Sequence, residues 1–194
     1  GQSLRNKRLL LLEEQAIGDV MQFASLLQTI INEAESVSLF LTARLTSIFH
    51  RTYADEILAG KLSIYTANDY KNGSCKSSLF DYQSPIASIC QHRFLSLSSY
   101  SPRVPCLISD ISESQLLKKK YISGSKESQI KLIGISWQGG GKGDRIRQKS
   151  IHPSVFFNLL SPIKGVRFVS LQYGNFEKQI LNWKSKGLDV IYDS

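Results

Sequence analysis

The sequence predicts an α/β protein made of two successive parallel sheets, each covered by helices. Strand-length apolar runs alternate with stretches whose apolar residues recur every three or four positions. That alternation occurs twice, before and after a polar stretch at 124–129. The chain has 194 residues, 42% of them hydrophobic, which suits one domain plus part of a second and is too apolar for a disordered chain.

The elements follow in order. Residues 8–14 form an apolar run of strand length that starts at a cation and ends in a polar turn. After a break at Ala16-Ile17-Gly18-Asp19, the residues Val20, Phe23, Ala24, Leu27, Ile31 and Ala34 make one helical stripe. A strand at 38–41, a helix at 43–51 and a strand at 62–65 continue the series. Residues 68–78, rich in Asn, Lys, Gly and Ser, read as a loop. Ser84, with Pro85 at the first position, starts a short helix through Ile86, Ile89, Cys90 and Phe94. Residues 95–105 are rich in Ser and Pro and read as irregular surface. A helix at 112–121 has Ser112 as its N-cap and Lys118-Lys119-Lys120 at its negative end, where a solvated charge run is the favoured reading. Residues 124–129 then divide a first domain, 4–123, from a second, 130–194. The second series comprises a strand at 131–137, a glycine-rich loop, a helix at 153–160, a strand at 166–171, a helix at 175–186 and a strand at 188–192. It stops at Ser194 with its pattern unfinished, leaving a sheet edge that can pair with a second copy.

Composition narrows the function classes. With 24 Lys+Arg against 16 Asp+Glu the formal charge is +8, which suits an anionic partner such as a nucleotide or phosphate. Cys75, Cys90 and Cys106 are odd in number and lack metal spacing, so they read as reduced thiols of a cytoplasmic protein. His50, His92 and His152 are scattered, and no metal or cofactor is expected. No apolar run approaches the length of a membrane span or signal core.

Chemistry is concentrated in two loops, each at the exit of a domain's first strand, where open parallel sheets bind ligands. In Glu14-Gln15-Ala16-Ile17-Gly18-Asp19-Val20, Gly18 permits a tight turn. Asp19 reads either as a helix N-cap or as a carboxylate that accepts a proton from a hydroxyl, and composition does not choose. The second loop, 136–150, carries Gly139, Gly140, Gly141 and Gly143 with the cations Lys142, Arg145, Arg147 and Lys149. Glycines admit a phosphate to backbone N–H groups, and the cations complete its charge. A solvated basic loop is the plain alternative. Neither a Walker nor a dinucleotide-binding spacing is present. Aromatic residues do not interleave with these cations, so a nucleic-acid partner is not expected.

Residues 14–23, Glu14-Gln15-Ala16-Ile17-Gly18-Asp19-Val20-Met21-Gln22-Phe23, resemble the first-domain motif of the heptosyltransferase-like glycosyltransferases, the ADP-heptose:LPS heptosyltransferase superfamily. The variety found C-terminal to tetratricopeptide repeats is the most similar. Phe80-Asp81 through Ile89, Ile133-Gly134-Ile135-Ser136-Trp137-Gln138-Gly139, Lys149-Ser150-Ile151 and 165–172 match in the same order. The resemblance implies the GT-B architecture, with one Rossmann-like domain and the first part of another. It implies an inverting, metal-independent transfer from a nucleotide-diphosphate sugar to a glycan or protein acceptor. Asp19 resembles the catalytic base, with Gly18 and Gln22 in the acceptor-side loop. Lys149 resembles the cation on the donor diphosphate, accompanied by Ser136, Gly139, Gly140 and Arg147. The family's later Asp-Thr/Ser-x-x-x-His segment has no counterpart, so the chain reads as a truncated piece with little turnover alone. A binding or scaffold module that retains the fold is the alternative.

Overall fold

The computed structural model describes residues 2–14, 16–93, 96, 106–123, 130–140 and 143–193. The chain divides into two compact units, Gly1–Ile111 and Ser112–Ser194. The expected linker at 124–129 lies outside the described residues.

The first unit runs β1 (Arg8–Leu12), α1 (Ile17–Glu33), β2 (Ser36–Phe40), α2 (Ala43–Thr52), α3 (Ala54–Leu58), β3 (Leu62–Tyr65), α4 (Ala67–Lys71), β4 (Tyr82–Pro85) and α5 (Ile89–Arg93). Its sheet has the order β3-β2-β1-β4, and every pair is parallel. Leu9 sits beside Val37, and Leu11 beside Leu39. Side chains alternate between sheet faces, so these four share one face. They form a core with Val20, Leu27 and Ile30 of α1 and Leu45 and Phe49 of α2. Each such side chain contributes about 1.5–3 kcal/mol on burial. Tyr53 pins α1 to the region after α2: its buried hydroxyl donates to the Ala24 carbonyl at 2.8 Å. Burial pushes this phenol well above its ordinary range. The other sheet face, with Leu10, Leu12 and Phe40, opens into a cleft lined also by Tyr70 and Phe80.

Two expectations in this unit are corrected. Residues 68–78 are not all loop, because α4 opens there and a 3-10 turn follows at Ser77–Leu79. The Asp69 carboxylate accepts from Thr66 N and Thr66 Oγ1, both at 2.7 Å, and organises the start of α4. These bonds hold the Asp69 carboxyl below the usual carboxylate range. Nor does a helix begin at Ser84. Tyr82–Pro85 is a strand, with Pro85 beside Leu12 at its last position, and the chain turns into a 3-10 segment only at Ile86–Ser88. An edge strand tolerates a terminal proline because no ladder N–H is needed there. Arg8 fixes the other end of β4. Its backbone N–H and Nε donate to Asp81 Oδ2 at 2.8 and 3.2 Å, and its Nη2 donates to Oδ1 at 3.2 Å. Phe94, Leu95 and 97–105 lie outside the described residues.

The second unit contains α6 (Ile111–Ile122, its first residue assigned to the preceding unit), β5 (Lys131–Ile135), α7 (Asp144–Gln148), α8 (Pro153–Leu160), β6 (Val166–Ser170), α9 (Glu177–Ser185) and β7 (Val190–Tyr192). The sheet order is β5-β6-β7, again parallel. Ile133, Phe168 and Val190 are in register. Ile135, Phe168 and Val190 share a core with Leu160, Ile180 and Trp183. Trp137, just past β5, packs into it, tilted against Trp183 at 4.7 Å and edge-on to Phe176 at 5.3 Å, centroid to centroid. Because α6 starts at Ile111, Ser112 lies inside its first turn and is not the cap. The lysine triplet is exposed, as expected of a solvated charge run, and Lys120 pairs with Asp193 at 2.5 Å. Tyr121 also donates to Asp193, which pushes its phenol up to about 12. Arg167 donates to the carbonyls of Tyr121 and Ser123 at 2.8 and 3.0 Å, fastening the end of α6 to β6.

Candidate functional site

The first unit offers a crevice where the strand order reverses. β1 has β2 on one side and β4 on the other, so the chain leaving β1 emerges between diverging connections. The helix that follows is capped by Ala16, without a side-chain capping bond, and Asp19 is its third residue. The N-cap alternative for Asp19 is therefore corrected. Its half-buried carboxylate has no hydrogen-bond or ion-pair partner among the described residues. It stands in the first turn, where the helix dipole favours negative charge. Gly18 and Gln22 are exposed on the same stretch of α1. Gly18 is helical and does not make a tight turn; a Cβ there would meet no atom within 4 Å. The neighbouring acid has a structural task. Glu13 Oε2 accepts from the N–H of Thr42, the N-cap of α2, at 2.5 Å. A cleft of ≈ 470 Å³ opens beside it, at the exits of β1, β2 and β3, and is lined by Glu13, Glu14, Leu41, Thr42 and Ala67.

In the second unit the loop leaving β5 is folded back on itself. The Gly139 N–H donates to the Lys149 carbonyl at 3.1 Å and to Ser150 Oγ at 3.2 Å. The Ile151 N–H donates to the Trp137 carbonyl at 2.8 Å. Ser150 Oγ in turn donates to the Ile146 carbonyl. These bonds close the base of the loop and set Lys149 beside Gly139. A Cβ on Gly139 would come 2.5 Å from Lys149 Cβ and 3.0 Å from its carbonyl oxygen, so glycine is required there. Gly143 has φ +59°, which also favours glycine. Gly140, by contrast, faces open space. It is the described glycine of this loop that leaves room for a ligand without a structural demand of its own.

Gln172, 9% exposed just past β6, holds the strand exit. Its Oε1 accepts from Trp137 N at 2.9 Å, Gln138 N at 2.8 Å and Ser136 Oγ at 3.1 Å. Its Nε2 donates to the Gln138 carbonyl at 3.1 Å. Sequence reasoning placed Gln172 only inside a matching segment and assigned it no role. No periodicity marks a residue whose partners lie 34–36 positions away. The Ser136 hydroxyl and the Gly139 N–H are thus already engaged. Arg147 is paired with Asp144 on the same short helix. Lys149 is exposed, and its side-chain ammonium has no partner among the described residues. Gly141 and Lys142 lie outside the described residues.

No family model matches the chain. Protein FlbA of Caulobacter vibrioides is 27% identical over 214 residues, a match that takes in 100% of this chain and 34% of FlbA. The chain therefore spans about a third of the length of that relative. The crystal structure of the glycosyl transferase family 9 protein from Veillonella parvula superposes with a TM-score of 0.59 at 12% identity. It covers 98% of this chain and 71% of the other. The likeness establishes the fold: Rossmann-like parallel sheets of the GT-B type. Among the described residues no helix is long and apolar enough to cross a membrane.

Proposed function

We propose that the chain is part of an inverting glycosyltransferase that moves a sugar from a nucleoside-diphosphate donor to a hydroxyl of a glycan or protein. The observation that carries this reading is unengaged charge in the loop that leaves the first strand of each unit. In a fold shared with a glycosyltransferase, the exit of β1 presents the Asp19 carboxylate and the loop leaving β5 presents the Lys149 ammonium, neither with a partner among the described residues, and Gly140 of that loop faces open space. Asp19 accepts the proton of the acceptor hydroxyl as its oxygen bonds to the anomeric carbon. The bond from that carbon to the donor diphosphate breaks on the opposite face, and the phosphate keeps the electron pair. Lys149 and the Gly140 N–H neutralise the charge developing there. Ser136 and Gly139 act by holding the loop, and Arg147 adds positive charge tempered by Asp144. Gly18 and Gln22 belong to the acceptor side.

The same proposal places this chain within a longer protein, C-terminal to tetratricopeptide repeats, where the donor site is completed; most of FlbA lies outside the match. A cytoplasmic location is supported by the three free thiols. The test is sugar transfer by the longer protein and by its Asp19→Asn variant. Loss of about 10²–10⁴-fold in rate is expected, with α1 intact because Asp19 is not its cap. Unchanged transfer removes the base assignment. Donor binding without transfer in the parent protein identifies a binding module that kept the fold.

A further inference from the structure

The loop at 136–150 has glycines and cations for a phosphate but no aromatic that a ligand can reach, because its one aromatic, Trp137, is buried in the core of the unit. The neighbouring strand exit supplies one. Residues 171–175 leave β6 as a turn held from the strands on either side. The Leu171 N–H donates to the Ile135 carbonyl at 2.9 Å. Gln172 Nε2, besides its bond to the Gln138 carbonyl, donates to the Tyr173 carbonyl at 3.4 Å. From β7, the Tyr192 hydroxyl donates to the Gly174 carbonyl at 3.3 Å. Gly174 has φ +107°, and a Cβ there would come 3.2 Å from Phe176, so glycine shapes the turn. On this fixed backbone the Tyr173 side chain is 85% exposed, and its hydroxyl has no partner among the described residues. Leu171, two residues earlier, is 68% exposed and lies against β5, where a Cβ on Gly134 would meet its Cδ1 at 2.5 Å.

We propose that Tyr173 is the platform on which the base of a nucleoside diphosphate stacks. This rests on the reading that the loop at 136–150 holds the donor's diphosphate. One amide nitrogen, Gln172 Nε2, bonds the carbonyls of both Gln138 and Tyr173, so the tyrosine adjoins the loop. Gly140 lies two residues past Gln138, at most about 7 Å of chain. A single ribose separates a base from its phosphates, and this spacing suits an anion at Gly140 and Lys149 with the base at Tyr173. The phenol ring presents a flat apolar face, and ordering it costs only two side-chain torsions. Its backbone is fixed before a ligand arrives, which lowers the cost of binding further. Stacking on an aromatic serves every base, because each has a π face, and contributes about ten- to a hundredfold in affinity. Tyr173 therefore favours nucleoside diphosphates over bare diphosphate and leaves the choice among bases to other groups.

Calorimetric titration of the longer protein with ADP, GDP, UDP, CDP and inorganic pyrophosphate tests this. In Tyr173→Ala, the nucleoside diphosphate that binds the parent most tightly should bind about ten- to a hundredfold more weakly, while pyrophosphate binds as before. Tyr173→Phe keeps the ring and should stay within about twofold of the parent on both. Equal losses for nucleotide and pyrophosphate, or no loss for either, overturn the proposal. A loss in Tyr173→Phe equal to that in the alanine variant assigns the effect to the hydroxyl and overturns stacking. Binding of pyrophosphate alone, or of no diphosphate at all, overturns it too. A nucleotide that binds through Tyr173 in a protein without sugar transfer keeps this proposal and removes the transferase reading. Sugar transfer by a protein whose nucleotide affinity ignores Tyr173 does the opposite.

Discussion

Replacing Gln172 with alanine strips the strand exit of several partners at once. Trp137 N and Gln138 N both lose their acceptor, and the Gln138 carbonyl loses a donor. Leaving a buried polar group unsatisfied costs about 1–3 kcal/mol. Gln138 is only half-buried, so water reaches part of the gap and the low end applies, for a total loss of about 2–3 kcal/mol. The assay is unusually clean, because the protein's two tryptophans, Trp137 and Trp183, both lie in the second unit. Tryptophan fluorescence during urea unfolding therefore reports that unit without averaging over the first. At a slope of about 1–2 kcal/mol per molar urea, the midpoint should fall by about 1–3 M. Gln172→Glu keeps the acceptor for both N–H groups and loses only the donor, so its midpoint should fall less. A shift below about 0.3 M for the alanine variant, or equal shifts for both variants, would refute the view that this amide holds the loop.

Other consequences follow from the same contacts. Gly139→Ala forces a Cβ to 2.5 Å from Lys149 Cβ, so the base of the loop must open. Titration with a nucleoside diphosphate should show weaker binding by the longer protein, while the first unit keeps its thermal transition. Unaltered affinity would mean that Lys149 does not depend on this packing. The Arg8 guanidinium, donating to Asp81, holds that carboxyl at about 2, below the usual carboxylate range. A depressed carboxyl stabilises the fold above its ordinary value of about 4 and loses that contribution as pH falls toward 2. Circular dichroism from pH 5 to pH 2 should therefore show a shallower acid response in Asp81→Asn, and a profile parallel to the parent's would contradict the linkage.

Sequence pattern was sufficient wherever a segment's neighbours in the chain are also its neighbours in space. The stripe through Val20, Ala24, Leu27 and Ile31 predicts α1, and those residues are buried in it. The third strand at 62–65 and the helix at 153–160 agree with β3 and α8 residue for residue. The start of α4 was legible too, in Thr66 followed three places later by Asp69, but the surrounding polar composition pointed to a loop. β4 was not legible. Tyr82-Gln83-Ser84-Pro85 has no strand pattern and is a strand because Leu9–Leu12 lie alongside it. The same division runs through the candidate site. Glycines, cations and acids mark the two strand exits by composition alone. Which of those groups are available is decided elsewhere: Gln172 engages the Ser136 hydroxyl from 36 residues away, Asp144 takes Arg147, and Ala16 rather than Asp19 caps α1. A donor or acceptor already engaged within the protein is less available to a ligand, and which groups are engaged depends on what distant residues the sheet brings within about 3 Å.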